Sequence, residues 1–179
     1  MTLIHENPTT VITLKNNKIQ KRYKNGCVSS KFRNPKWLEA YDGLNKFGLN
    51  VPEIYQITED SIFMEYIEGT SLNLLMRNWC NSYNSKFKEI ARMMTKVLEL
   101  LQKQFEYCEF ATNPILHTDL WGGNIIIRKD DSLCIVDPDS FELYPTKQYH
   151  STITHFKILI DLLDASNSNV YNLLRLASK

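Results

Sequence analysis

Short apolar runs broken by turn residues fill the first third of the chain. Thr2 to His5, Val11 to Lys15 and Lys18 to Lys24 are joined by Asn7-Pro8-Thr9-Thr10 and by Asn16-Asn17, and this pattern predicts a three-stranded antiparallel meander. Period-2 alternation in the third strand puts Ile19, Lys21 and Tyr23 on one face and Gln20 and Arg22 on the other. Lys21 therefore shares a face with apolar neighbours, a placement that a lysine snorkelling from an edge strand would also produce. Asn34-Pro35 reads as an N-cap with proline at the first helical position, and Trp37, Leu38, Tyr41 and Leu44 recur at helical spacing until Gly48. Glu39 falls in the second turn of that helix. Val51 to Ile57 and Ser61 to Ile67 then predict two more strands around the turn Thr58-Glu59-Asp60. Five strands and one helix thus precede a break at Glu68-Gly69-Thr70, where a lobe boundary is expected, dividing residues 1–69 from 70–179.

Beyond the break the pattern turns helical. Ser71 can cap a helix through Leu72 to Cys80, and Ser85 to Phe105 is the longest helical pattern, with Phe87, Ile90, Met93, Met94, Val97, Leu98 and Leu101 on its apolar stripe. The two methionines read as core filler. Ile125 to Ile127 and Leu133 to Val136 flank the polar turn Arg128-Lys129-Asp130-Asp131-Ser132 and predict a β-hairpin. After Ser140-Phe141-Glu142-Leu143 a polar stretch leads to two apolar helical segments, and no internal repeat is found.

That hairpin gives the polar residues between Ile115 and Asp139 their meaning. Asn124 stands at the mouth of its first strand and Asp137 at the exit of its second. An antiparallel pair brings those ends together, so an amide oxygen and a carboxylate could share one Mg²⁺, a hard cation that takes oxygen ligands. Asp119 lies in the loop leading into the hairpin, where it could face a substrate hydroxyl.

Composition narrows the class without naming a partner. The chain has 179 residues, is 43% hydrophobic and carries 21 basic against 20 acidic side chains, a formal net charge of +1. That suffices for a real core but provides no field selecting nucleic acid or an anionic membrane. Cys27, Cys80, Cys108 and Cys134 are scattered, with no metal-binding spacing, as expected of reduced thiols. No apolar run reaches the ~20 residues of a membrane helix, and Met1 to Pro8 lacks the features of a signal peptide, so a cytoplasmic location is expected. Oligomeric state has no signature here.

A strand lysine, a helix glutamate, the loop His117-Thr118-Asp119-Leu120-Trp121-Gly122-Gly123-Asn124 and an aspartate after a hairpin occur in the order used by the protein-kinase-like superfamily, which this sequence resembles. The loop is similar to those of aminoglycoside phosphotransferases and fructosamine kinases. The resemblance implies an α+β, bilobal kinase-like fold with a five-stranded antiparallel N-lobe holding one helix, and a truncated, mainly helical C-lobe. It implies that Lys21 contacts the α/β-phosphates of ATP, that Glu39 holds Lys21 by an ion pair, and that Asp119 orients the attacking hydroxyl. It further implies Mg²⁺ on Asn124 and Asp137, and adenine against the hinge residues Glu65, Tyr66 and Ile67. His117 is then either a buried histidine that orients the loop or a proton relay.

The departures from the family pattern are informative. No glycine-rich loop joins the first two strands, so Thr9 and Thr10 are the expected phosphate cover. Trp121 replaces the usual lysine of protein kinases, and Asp137-Pro138-Asp139 replaces Asp-Phe-Gly, with Asp139 either an extra group near the metal or a turn residue. Acidic side chains at Glu106, Glu109, Asp139 and Glu142 either face solvent or await a cationic substrate. The expected function is an ATP- and Mg²⁺-dependent phosphotransferase acting on a hydroxyl of a small molecule of aminoglycoside, sugar-amine or amino-alcohol type. A minimal atypical Ser/Thr protein kinase is the alternative, favoured by the short C-terminal part, and a nucleotide-binding pseudokinase is the third reading.

Overall fold

The computed structural model describes residues 1–80 and 87–143. The apolar helical segments expected near the C-terminus lie outside the described residues. Strands β1 (Thr2–Glu6), β2 (Thr10–Lys15), β3 (Lys18–Tyr23), β4 (Ile54–Ile57) and β5 (Ser61–Glu65) form one antiparallel sheet in the order β1-β2-β3-β5-β4. Asn16 and Asn17 both take positive φ, 50° and 58°, giving the left-handed turn that matches strand twist and fixes the β2–β3 register from Lys15 opposite Lys18 to Thr10 opposite Tyr23. β3 is interior to the sheet, and Lys21 lies opposite Ile12 on one side and Ile62 on the other. Lys21 is 8% exposed while Arg22 faces solvent, as the alternation predicts.

Helix α1 (Pro35–Phe47) follows a 3₁₀ turn at Ser30–Arg33. The Asn34 side chain accepts a hydrogen bond from the Lys36 amide at 3.0 Å, and Gly48 closes the helix at φ 87°, a conformation that glycine adopts without a Cβ penalty. Its buried face is Trp37, Ala40, Tyr41 and Leu44. Glu39 is about 200° round the helix from Trp37, so it projects into solvent.

The second half adds β6 (Thr70–Ser71), α2 (Leu72–Cys80), α3 (Phe87–Phe110), β7 (Ile115–His117), β8 (Ile125–Ile127), β9 (Leu133–Ile135) and β10 (Phe141–Leu143). β6-β8-β9 form a small sheet, and β7 pairs with β10. Strands β6, β7 and β10 have only two or three residues each, too few for a periodic signal in the sequence. Ser71 Oγ accepts from the Leu74 amide at 3.3 Å, the expected cap of α2. Helix α3 buries Met93, Val97, Leu100 and Leu101, whereas Leu98, expected on the stripe, is 50% exposed. The correction follows from angle: Leu100 lies about 60° from Val97 around the helix and Leu98 about 100°. Among the described residues no helix is long and apolar enough to cross a membrane.

An aromatic ladder joins the two halves. Phe32 meets Trp37 edge-on at 4.7 Å between ring centroids, Trp37 stacks on Tyr41 at 5.0 Å, and Tyr41 meets Phe141 of β10 edge-on at 5.4 Å. Phe141 in turn contacts the His117 ring at 4.8 Å. Trp37 Nε1 donates to the Phe141 carbonyl at 2.9 Å, so the ladder is hydrogen-bonded as well as packed. Replacing Trp37 with alanine is expected to lower the unfolding free energy by about 3–5 kcal/mol, and Leu98→Ala by less than about 0.5 kcal/mol, as measured by urea denaturation.

Candidate functional site

The hairpin sets the position of the polar residues at its open end. Ile125 pairs with Ile135, and the Val136 amide donates to the Asn124 carbonyl at 2.9 Å, which closes the ladder where Asn124 enters and Asp137 leaves. Asn124 Nδ2 donates to the Asp119 carbonyl at 2.9 Å, which leaves its Oδ1 as the acceptor atom of the amide. The Asp119 side chain is exposed. The Thr118 amide and hydroxyl both donate to the Ser140 carbonyl, at 2.6 and 2.9 Å, stitching the loop to the segment after Asp137.

Space dictates the two glycines of the loop. A Cβ on Gly122 would lie 2.7 Å from Met76 Cε and 3.0 Å from the Asn73 amide nitrogen, because the loop runs against the start of α2. A Cβ on Gly123 would lie 2.3 Å from the Trp121 ring, because the indole folds back over that residue. With the indole in this position, a side chain at 123 would have to displace it.

His117 is fully buried, and its Nε2 lies 3.0 Å from the Val136 carbonyl. Its Nδ1 is buried without a hydrogen-bond partner among the described residues. Burial pushes the imidazole pKa down to about 4, despite the opposing carbonyl and the nearby carboxylates. The ring is therefore neutral at physiological pH, with Nε2 donating to Val136 and so tying the loop to the hairpin exit.

Lys21 crosses from the five-stranded sheet to this loop. Its Nζ lies 2.5 Å from Asp137 Oδ1 and also pairs with Asp139 Oδ2. Tyr23, two residues on and on the same face of β3, donates its hydroxyl to Asp139 Oδ1, and Ser140 Oγ donates to Asp137 Oδ2 at 2.8 Å. Burial disfavours the charged form of Lys21, but Asp139 and Asp137 outweigh it and its pKa lies above the ordinary lysine value. Burial likewise pushes the Asp137 carboxyl up, and Lys21 pushes it down further, so it sits below the usual carboxylate range. Lys31 Nζ holds the same segment from outside through the Asp139 carbonyl, the Phe141 carbonyl at 3.1 Å and the Glu142 carboxylate at 2.5 Å.

Two sequence expectations change here. Glu39 is not the partner of Lys21: it stands on the solvent face of α1, while Asp137 and Asp139 hold the lysine. Its orientation was legible in the Trp37–Tyr41–Leu44 stripe, which fixes the opposite face. Thr9 does not line the cleft. Asn7 Oδ1 accepts from the Thr9 amide at 2.8 Å and hydroxyl at 3.0 Å, and from the Thr10 amide at 2.7 Å and hydroxyl at 3.1 Å, a side-chain turn that occupies these donors at both threonines, although Thr10 still borders the cleft. Asp139, of the two readings the sequence leaves open, is a partner of Lys21, and Tyr23 and Lys31 join it there with no role implied by the loop motif. The signal for Tyr23 was the alternation that puts it beside Lys21.

The remaining expected residues line one cleft of about 490 Å³ between the sheet and the hairpin. Lys21, Thr10, Glu65, Tyr66, Ile67, Asn124 and Asp137 border it, with Ile12, Ile19, Met64, Ile126 and Val136 supplying apolar walls. Asp119 is joined to this cleft through the Asn124 amide.

The model of the ABC1 atypical kinase-like domain matches residues 33–172. This chain belongs to that family. The matched span of this ABC1 domain contains the whole loop and hairpin, and it begins after Lys21. An ADP-bound aminoglycoside phosphotransferase, APH(2'')-Ib, is similar over 94% of this chain and 78% of its own, at 14% identity and a TM-score of 0.46. No curated protein sequence matches the chain.

The buried neutral histidine has a pH consequence. Its folded pKa of about 4 lies below the unfolded value of 6.5, so the unfolded chain takes up the proton first as pH falls. Stability is therefore expected to be complete above pH 6.5 and to decline between 6.5 and about 4, with His117 contributing up to roughly 3 kcal/mol of the loss. In His117→Gln, denaturation curves across that range are expected to show a shallower dependence of unfolding free energy on pH.

Proposed function

We propose that this ABC1 domain is a phosphotransferase that uses ATP and Mg²⁺ to phosphorylate a hydroxyl on a small molecule of sugar-amine or amino-alcohol type. The observation that carries the reading is the convergence of Lys21, Asn124 and Asp137 on one cleft, with Asp119 hydrogen-bonded through its backbone to Asn124. The donor chemistry fits Mg²⁺. Asp137 is held ionised, Asn124 Oδ1 is an uncharged oxygen, and Lys21 against Asp137 and Asp139 leaves a surplus of negative charge at the mouth of the hairpin. Among the described residues no group of three or more His, Cys, Asp or Glu could hold a metal. That sparse supply suits a cation that keeps waters and substrate phosphates as its other ligands rather than a cage built of protein. Asn124 and Asp137 would hold it, and when bound it would supply positive charge against the nucleotide phosphates.

The side chains divide the remaining work. Lys21, kept protonated by its two carboxylates, is the cation for the α/β-phosphates. Asp119, exposed and fixed through its own carbonyl, orients an acceptor hydroxyl and takes its proton. Apolar walls at Ile12, Ile19, Met64, Ile126 and Val136 suit the two faces of an adenine ring, with the backbone of Glu65, Tyr66 and Ile67 at its edge. Trp121 stands where a protein kinase would place lysine, and its indole is committed to Gly123, which favours a small acceptor over a peptide.

With radiolabelled ATP and a lysate divided by a size filter, label is expected in the small-molecule fraction; label confined to macromolecules would replace that acceptor with a protein. Asp119→Ala is expected to lower turnover roughly 10²–10⁴-fold with nucleotide affinity little changed. Asp137→Ala is expected to lose Mg²⁺-dependent nucleotide affinity in calorimetry. ATP consumption equal in wild type and Asp119→Ala would leave nucleotide binding alone.

A further inference from the structure

The geometry points to Asp139, rather than a helix glutamate, as the positioning carboxylate that holds Lys21 for phosphate binding; this rests on the phosphotransferase reading above. In the structure Lys21 has two carboxylate partners, and they are held differently. Asp137 receives one side-chain hydrogen bond besides Lys21, from Ser140 within its own turn. Asp139 is fixed from the opposite half of the molecule: Tyr23 of β3 donates to its Oδ1, and Lys31, just before α1, donates to its carbonyl. Pro138 precedes it in a 3₁₀ turn and is buried, which restrains the backbone that carries it.

This difference decides which carboxylate can stay with the lysine. Asp137 lies at the hairpin exit beside Asn124 and is the oxygen donor a cation would take. Once its charge is shared with a cation, its hold on Lys21 weakens, and a buried ammonium at 8% exposure needs another partner. Asp139 is that partner, and its anchors do not involve Asn124 or the hairpin. β3 therefore supplies both the lysine and, two residues on, the hydroxyl that orients the lysine's partner. Glu39 has no such route, because the buried face of α1 is taken by Trp37, Ala40, Tyr41 and Leu44.

Side-chain NMR of the ¹⁵N-lysine-labelled Asp137→Asn protein, in which Asp139 is the remaining carboxylate on Lys21, tests this without any turnover. One slowly exchanging ammonium signal, absent when Lys21→Met is added, is expected in this background and when Glu39→Gln is added. It is expected to be lost when Asp139→Asn is added and regained at least in part with Asp139→Glu, with circular dichroism reporting that each variant is folded. A signal that survives Asp139→Asn in this background, or that is absent from Asp137→Asn alone, overturns the assignment. An unfolded Asp139→Asn variant passes the decision to Tyr23→Phe, which is expected to broaden the same signal, and an unchanged signal there overturns the proposal. In turnover, Asp139→Asn is expected to lower kcat roughly 10²-fold with the acceptor KM unchanged, while Glu39→Gln matches wild type. No turnover in wild type would defeat the phosphotransferase reading and leave the NMR result to decide Asp139.

Discussion

A lysine nine-tenths buried in the middle of a β-sheet must meet opposite charge, and in this protein it meets two carboxylates from the far side of the cleft. Desolvating an ammonium costs several kcal/mol unless it is paired and hydrogen-bonded. Lys21 therefore ties the five-stranded sheet to the segment that follows the hairpin, and the position of that segment becomes a condition for burying the lysine. Neither half satisfies its own charges without the other.

The rest of the structure keeps the two halves in register for that contact. The aromatic series from Phe32 through Trp37 and Tyr41 to Phe141 packs α1 onto β10, a few residues beyond Asp139. Lys31 and Trp37 Nε1 both donate to the Phe141 carbonyl, so the same peptide group is gripped twice from the N-terminal half. His117 continues the series edge-on against Phe141 and reaches Val136, which links Asp119, Asn124 and Asp137 to one packed unit. Steric crowding completes the loop, since Gly122 and Gly123 leave room for α2 and for the Trp121 indole.

Much of this was legible in the sequence where local rules are strong. The Asn16-Asn17 turn, the Asn34 cap with Pro35, the Ser71 cap and the β8–β9 hairpin each follow from backbone chemistry within a few residues, and the period-2 face of β3 placed Lys21 correctly. The kinase-like order of the loop residues led to the right superfamily. What was not legible depends on contacts distant in sequence. The pairing of Lys21 with Asp139 spans most of the chain, and nothing local to either residue announces it. Glu39, which the resemblance implies as the partner of Lys21, is turned to solvent by the apolar stripe on the opposite face of α1. Thr9 lies off the cleft, and a side-chain turn through Asn7 occupies the donors of Thr9 and Thr10 that a phosphate would need. The short strands β6, β7 and β10 carry no periodicity and are set by their partners.

Lys21 and the aspartates across the cleft are energetically coupled if this ion-pair set holds the two halves together. A double-mutant cycle on unfolding free energy, combining Lys21→Met with Asp139→Asn and separately with Glu39→Gln, measures that coupling most directly. A coupling of roughly 1–3 kcal/mol is expected for Lys21 with Asp139 and less than about 0.5 kcal/mol for Lys21 with Glu39. Coupling to Glu39 with none to Asp139 would contradict that expectation.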